Sequence, residues 1–363
     1  MKIAIDGNPF TMSYTGVAKY LLSLIRLVTS IPNCDVYIIC NKDFSIPEDL
    51  NVIKIVDKEI FSNLNFTVWL KTRGSFFISK FAFDYYWSCS GIQPYLTSKT
   101  KYISVIHDLN YKIVPSMMGT LQFFTHLVFM KQDARRTDYI ITNSQGSADK
   151  IFSYLGCKVQ SIINPPTDKH FKKIDDKNVK TILDKYNIHY SYFLTVGTLE
   201  PRKNLRHTIN VYNSLSEDVK AKYKLVIVGT SGWKNKTILD LCESNKENVI
   251  RLGYIEEHDL PYIYNGASIF LFPSIYEGFG MPVREAVHCG IEVITSNIPE
   301  TIEACYGQGR FIQPNDSAEY KKTILEVIHA TKSSEQKQID LYKKEADLQS
   351  AQFLKQFQSW LNI

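Results

Sequence analysis

The chain has 363 residues, 44% of them hydrophobic and 22% charged, so it exceeds one typical domain and carries ample apolar content for ordinary globular cores. Its seven cysteines (Cys34, Cys40, Cys89, Cys157, Cys242, Cys289 and Cys305) are scattered and odd in number, with no Cys-x-x-Cys and no zinc spacing. That usage argues against a disulfide framework or a metal centre and for a reduced, cytoplasmic protein. The net charge of +5 lies wholly in the first half, with 18 Lys+Arg against 13 Asp+Glu over residues 1–170 and 24 against 24 beyond; an excess this small describes solvated surface, and no nucleic acid partner is expected.

The opening MKIAIDGNPF starts directly as a strand without a signal-peptide pattern, and no stretch approaches the ~18 apolar residues of a membrane span. Lys2 to Asp6 reads as a sheet-centre strand and Gly7 to Thr15 as a polar turn. Gly16 then opens a helix with the apolar period Val17, Tyr20, Leu21, Leu24, Ile25 and Val28. Strand, glycine turn and helix make the first half of a nucleotide-fold unit. Strands follow at Val36 to Cys40 and Val52 to Val56. In residues 61–87 many aromatics alternate with Lys71, Arg73 and Lys80, which fits equally a segment lying on the anionic inner membrane surface and a core helix followed by a buried strand.

Tyr102 to Ile106 is a strand ending in His107-Asp108, at the carboxyl edge where α/β folds place their chemistry; on the residues alone a satisfied structural histidine is the default. A helix is expected over 119–137, a strand at Tyr139 to Thr142, and then a helix capped by Ser144 or Ser147. Asn164-Pro165-Pro166 breaks the pattern and 167–180 reads as a polar linker. The expected organisation is a first Rossmann-like domain over 1–168, a second over 181–345, and a final segment, 346–363.

The second α/β series starts with a strand at Tyr192 to Val196. GTLEPRKN, Gly197 to Asn204, joins it to a helix through Leu205, Ile209, Tyr212 and Leu215. Arg202 and Lys203 thus stand near a helix N-terminus, the reverse of what the helix dipole favours, and two bases placed there call for an anion. Strands at 224–228 and 249–252 alternate with helices near 234–244 and 256–265. Ser268 to Phe272 is a fully buried strand that stops at Pro273. The turn Ser274 to Gly280 leads into a helix with Met281 and Pro282 at its start and Glu285 in its first turn. Gly278, Phe279 and Gly280 let the backbone approach a ligand closely, and the helix N-terminus offers free N–H groups to a phosphate. Glu277 and Glu285 frame this seat and suit hydroxyl groups, which suggests a diphosphate between two polyols. The plain alternative is a dipole-complementing Glu285 and a solvated Glu277. A strand at 292–295, a short helix from Pro299-Glu300 and a strand at 309–312 follow. The tail from 316 is helical, with an apolar stripe of Phe353, Leu354, Phe357, Trp360 and Leu361.

Glu277-Gly-Phe-Gly-Met-Pro-Val-Arg-Glu285 resembles the Glu-x7-Glu signature of glycosyltransferase family 4, retaining enzymes of GT-B architecture with two facing Rossmann-like domains and a final helix crossing back to the first. GTLEPRKN resembles that family's second donor-binding motif. The resemblance implies that Lys203 grips the donor diphosphate, that Arg202 supplies the charge of an arginine replaced here by Thr198, and that Glu285 holds the ribose and Glu277 the transferred sugar. It also implies that Gly16 faces the donor phosphates and that His107 contacts the sugar. Gly16 alone remains of a loop that often has two glycines, and Glu292 stands where a proline is usual. No D-x-D triplet occurs, which argues against the metal-dependent class. No metal and no cofactor beyond the nucleotide-sugar substrate is expected. The wording of both motifs is most similar to bacterial O-antigen and capsule enzymes, many of which use GDP-mannose, and implies a lipid-linked or oligosaccharide acceptor at the inner membrane surface. A nucleotide-sugar epimerase of the same architecture and a non-catalytic nucleotide-sugar binding protein are the competing readings.

Overall fold

The computed structural model describes residues 1–11, 16–58, 64–96, 99–232, 235–330 and 339–361. The chain divides into two compact units, Met1–Pro166 with Glu345–Ile363, and Thr167–Lys344.

In the first unit, seven strands form one parallel sheet: β1 Lys2–Asp6, β2 Asp35–Cys40, β3 Ile53–Val56, β4 Tyr85–Ser88, β5 Lys101–Val105, β6 Tyr139–Thr142 and β7 Ser161–Ile162. Their spatial order is β3-β2-β1-β4-β5-β6-β7. The β-branched run Ile3-Ala4-Ile5 is fully buried at the centre, as a parallel strand covered on both faces requires. Helices α1 Gly16–Thr29, α2 Thr120–Arg136 and α3 Gln145–Leu155 belong to this unit. The side chain of Ser144 caps α3 by accepting from the Ser147 N–H at 3.0 Å, and Gly156 ends it in a left-handed conformation.

Most of the described part of the aromatic segment within 61–87 is core, while Val68 and Phe76 are exposed. Residues 59–63 lie outside the described residues. Beyond them come a helical stretch from Phe66 to Ser79, irregular at Thr72, and then β4, with Phe66, Trp69, Leu70, Ile78, Tyr85, Tyr86 and Trp87 buried. Two of its bases turn inward rather than toward lipid headgroups. Lys71 pairs with buried Asp133 at 2.6 Å, and Arg73 with buried Asp57 at 2.7 Å.

The C-terminal helix, Ile339–Leu361, places Phe353, Phe357 and Leu361 in the core of the first unit. The Phe357 ring stands 5.3 Å from Tyr139 and 5.7 Å from Trp87, and Trp360 stands 4.8 Å from Tyr139. The apolar stripe at helical spacing thus covers the aromatic ends of β4 and β6.

The second unit holds six parallel strands: β8 Ser191–Val196, β9 Tyr223–Val228, β10 Val249–Gly253, β11 Ile269–Phe272, β12 Glu292–Ser296 and β13 Arg310–Ile312. Their order is β10-β9-β8-β11-β12-β13. Helices α4 Leu205–Asn213, α5 Leu260–Gly266, α6 Met281–His288 and α7 Pro299–Ala304 bear on the site. The polar segment read as a linker contains the start of a helix, Asp176–Lys185, which buries Val179. Among the described residues no helix is long and apolar enough to cross a membrane.

Candidate active site

Strand order locates the chemistry. In the second unit the chain runs β8-β9-β10 outward on one side and then returns to continue β11-β12-β13 on the other, so β8 and β11 flank the topological switch point. Ligands of open α/β sheets bind in the crevice at the carboxyl ends of such strands. Both expected motifs leave from these two ends, Gly197 to Asn204 after β8 and Pro273 to Gly280 after β11.

The structure brings Arg202, Lys203 and Glu277 together. Lys203 Nζ donates to Glu277 Oε1 at 2.7 Å, and Arg202 Nη1 donates to Glu277 Oε2 at 2.8 Å. Ser274 Oγ adds a third donor to the carboxylate, 2.6 Å from Oε1, and Arg202 Nε donates to Glu200 at 3.0 Å. Glu277 and Lys203 are buried. Burial by itself raises the Glu277 carboxyl, but the adjacent Arg202 and Lys203 charges and the hydrogen bonds from Lys203 and Ser274 outweigh it and hold the group at about 2. The Lys203 ammonium is pulled below its usual range by burial first and by Arg202 second, against the opposing pull of Glu277. Its charge also lies over the Phe272 ring, 4.7 Å from the centroid.

Local sequence explains how two consecutive bases are presented. Pro201–Lys203 forms a single 3-10 turn, and Asn204 takes a left-handed conformation whose side chain donates to the Pro314 carbonyl at 2.6 Å. The backbone carbonyl of Arg202 accepts from Ile275 N at 2.8 Å, fastening one motif to the other. Thr198 is half-buried after Gly197, ahead of the Leu199–Ser231 bridge. Gly229 is required at this crossing, because a Cβ there would stand 2.0 Å from the Gly197 carbonyl oxygen.

Gly280 caps α6 with φ +106°, a left-handed conformation that a side chain would strain, and Pro282 sits in the first turn. Met281 and Pro282 are half-buried, as is Gly278, while Phe279 is buried. Glu285 stands in the second turn of α6 rather than the first, because the helix begins at Met281. It accepts from Tyr264 of α5 at 2.8 Å. Glu277 and Glu285 therefore occupy different surroundings, one between two bases and one beside a tyrosine. Between them, buried Arg284 donates to the Glu303 and Ala304 carbonyls at 3.0 and 2.5 Å and ties α6 to α7.

The first unit has its own switch point, between β1 and β4. Asp6, the last residue of β1, accepts from the Cys89 N–H just after β4 at 2.6 Å. The Cys89 carbonyl lies 3.2 Å from His107 Nε2. A carbonyl oxygen can only accept, so Nε2 carries the proton and Nδ1 the lone pair. Burial lowers the His107 pKa to about 4 against the raising effect of this hydrogen bond, and burial pushes Asp6 up to about 7 against the pull of backbone N–H groups. Gly16 is the first residue of α1, with open space where a side chain would stand; residues 12–15 before it lie outside the described residues.

Ser274, Glu200 and Tyr264, and in the first unit Asp6 and Cys89, join these clusters without having been singled out in the sequence. Asp6 carried a signal, an acid at a strand's carboxyl edge just before a glycine. Ser274 carried only its place after the strand-ending proline. Among the described residues no group of three or more His, Cys, Asp or Glu side chains is gathered as metal ligands would be.

Residues 178–345 match the family model of the glycosyl transferases group 1. O-antigen chain mannosyltransferase B of Escherichia coli is 36% identical over 184 residues, 50% of this chain and 46% of that protein. The serotype-specific mannosyltransferase WbdA of Escherichia coli is 28% identical over 239 residues, 62% of this chain and 29% of that protein. This chain thus spans less than half the length of either relative. Among solved structures, Anabaena HepE in complex with UDP and glucose superposes with a TM-score of 0.70 at 17% identity, over 100% of this chain and 99% of that one, a likeness of fold. Residues 178–345 are thus similar to the glycosyl transferases group 1, and the chain has the two-domain α/β fold of the GT-B glycosyltransferases.

Proposed function

We propose that this protein is a retaining, metal-independent hexosyltransferase that moves mannose from GDP-mannose to a hydroxyl of a lipid-linked or oligosaccharide acceptor in bacterial surface polysaccharide synthesis. The observation that carries the reading is the buried Lys203–Glu277–Arg202 cluster at the switch point of the second unit. Arg202, Lys203, Glu200 and Glu277 balance in formal charge, so a donor diphosphate would take the two bases over from Glu277 rather than meet an unpaired excess. Preorganised cations aimed at a departing diphosphate are the usual large catalytic contribution in such sites and need no metal. The N–H groups after Gly280 would add to them.

Glu277, freed in part by that exchange, would accept hydrogen bonds from the transferred sugar, and Glu285 from the ribose. Without donor the Glu277 carboxyl sits near 2 and is ionised throughout the working range, so it offers acceptors and no proton to sugar hydroxyls. The route taken is same-face attack, with the leaving phosphate accepting the acceptor's proton as the new glycosidic bond forms. His107 is neutral above about pH 4, which leaves Nδ1 as an acceptor. The mannosyl donor rests on the relatives named above, which are mannosyltransferases.

The test is to incubate the protein with GDP-mannose and a polyprenyl-diphosphate-linked oligosaccharide, with and without a chelator. Release of GDP with an α-mannosyl product that persists in chelator supports the reading. An inverted anomer, or complete dependence on added metal, would contradict the mechanism, and the absence of any glycosidic product would contradict the activity.

A further inference from the structure

Ser274 is the member of the Glu277 cluster that carries no charge. It is fully buried, and it follows the proline that ends β11. Its peptide is held from both sides. The Ser274 carbonyl accepts from Ser296 Oγ, at the end of β12, at 2.6 Å, and the N–H of the same peptide, that of Ile275, donates to the Arg202 carbonyl at 2.8 Å. Ser296 is braced in turn, its carbonyl accepting from Thr301 Oγ1 of α7 at 2.6 Å. Ser296 and Thr301 are fully buried as well. The Ser274 backbone is thereby fixed, and its hydroxyl is presented from a rigid base.

That hydroxyl has a single proton and two close acceptors. Glu277 Oε1 lies at 2.6 Å and the Arg202 carbonyl at 2.9 Å; the carboxylate is nearer and carries charge, so it takes the proton. Among the described residues Ser274 is the one uncharged side chain that donates to Glu277, beside Arg202 and Lys203. A diphosphate acts on these donors differently. Its charge draws the two bases and has no such pull on a neutral hydroxyl that faces a carboxylate. Glu277 is only 5% exposed, so water cannot replace the lost partners, and a buried acceptor left without donors is costly.

We propose that Ser274 is a positioning residue: when the donor diphosphate takes over Arg202 and Lys203, the Ser274 hydroxyl holds the Glu277 carboxylate in place, so that its remaining lone pairs meet the hydroxyls of the transferred sugar. This rests on the donor reading given above and adds to it the group that keeps Glu277 oriented while its cations are engaged elsewhere. In the donor-free protein Arg202 and Lys203 hold the carboxylate whether or not the hydroxyl is there. Ser274 therefore matters most after the donor has bound, in the step that kcat reports.

Steady-state nucleotide release from GDP-mannose is measured on the full chain with the acceptor of the transfer assay above, together with calorimetric titration of GDP alone, for wild type, Ser274→Ala and Thr295→Val. Thr295→Val controls for the loss of a buried hydroxyl at the same strand ends, because Thr295 Oγ1 donates to the Phe272 carbonyl at 2.9 Å rather than to Glu277. Ser274→Ala should lower kcat about 30-fold, the range for a hydrogen bond to a charged group, with KM for the donor and Kd for GDP within about threefold of wild type. Thr295→Val should leave kcat within about twofold. If Ser274→Ala does not fold, Ser274→Cys, which fills the space and offers only a weak donor, should show the same fall in kcat. A fall no larger than that of Thr295→Val would overturn the proposal, as would a loss carried by KM and GDP affinity with kcat intact. Absence of nucleotide release by wild type would remove the donor reading and this proposal with it, whereas wild-type turnover with an unaffected Ser274→Ala would remove this proposal alone.

Discussion

At the scale of single residues, Glu277 is where sequence and structure add to each other. The Glu-x7-Glu spacing picks it out, yet its partners lie 74 and 75 positions away and no local pattern announces the pairing. Truncating one partner of a buried ion pair leaves the other uncompensated, so Glu277→Gln should destabilise the second unit by about 3 kcal/mol in urea unfolding at pH 7. The pH dependence follows from the depressed pKa. A carboxyl at about 2 folded and 4.5 unfolded contributes stability that is complete above about pH 5 and is lost as pH falls toward 2. The wild-type advantage over Glu277→Gln should shrink across that window; a difference unchanged from pH 7 to pH 3 would contradict the pairing. Asp6 has the opposite sign. Its carboxyl is raised from 3.8 to about 7 by burial, so the folded state binds the extra proton and stability declines as pH rises from about 4 to 7. Asp6→Asn retains an acceptor for Cys89 and should be more stable than wild type at pH 8, with little difference at pH 4, in paired thermal melts.

At the scale of elements, long periodic or β-branched segments were legible, as were the short β6 and β13, while β4 and β7 were not. Strand β1, helix α1 and the β11-to-α6 stretch lie where their apolar spacing puts them. β7 has two residues, too few for any period. β4 hides in an aromatic run whose residues are all buried, so no alternation marks it. The same run was ambiguous between membrane and core because its bases carry no sign of their partners in sequence: Lys71 pairs with Asp133, 62 residues on, and Arg73 with Asp57, 16 residues back. The helix cap at α3 was legible because Ser144 precedes the apolar period directly. Ser144→Ala should cost the first unit about 1 kcal/mol in denaturant unfolding, through loss of the bond to Ser147 N; an unchanged midpoint would mean that water or Ser147 replaces the cap.

At the scale of the molecule, the doubled α/β pattern and the final helix were readable because each unit repeats strand, turn and helix around its own core. What a given strand end carries could not be read until the order of strands was known, since the switch points at β1/β4 and β8/β11 depend on sheet order and not on sequence order. The C-terminal helix gives a prediction of this scale. Phe357→Ala removes a buried ring stacked among Tyr139, Trp87 and Trp360, and should destabilise the first unit by about 3–5 kcal/mol while leaving nucleotide-sugar affinity of the still-folded protein within about twofold of wild type. Differential scanning calorimetry and donor titration separate the two effects.

The central claim is that the cluster of Lys203, Arg202 and Glu277 is a donor-diphosphate site. Saturation-transfer NMR of the full chain against GDP-, UDP- and dTDP-sugars without acceptor, followed over hours and repeated with Lys203→Ala, tests it directly. The account predicts that one donor, GDP-mannose, is bound and slowly hydrolysed, and that Lys203→Ala weakens binding by about 30-fold or more, as expected for removing a charge from a buried hydrogen-bonded site. No binding of any donor, or equal binding by Lys203→Ala, would contradict it, and conversion of a sugar to its epimer without release of nucleotide would make the protein an epimerase.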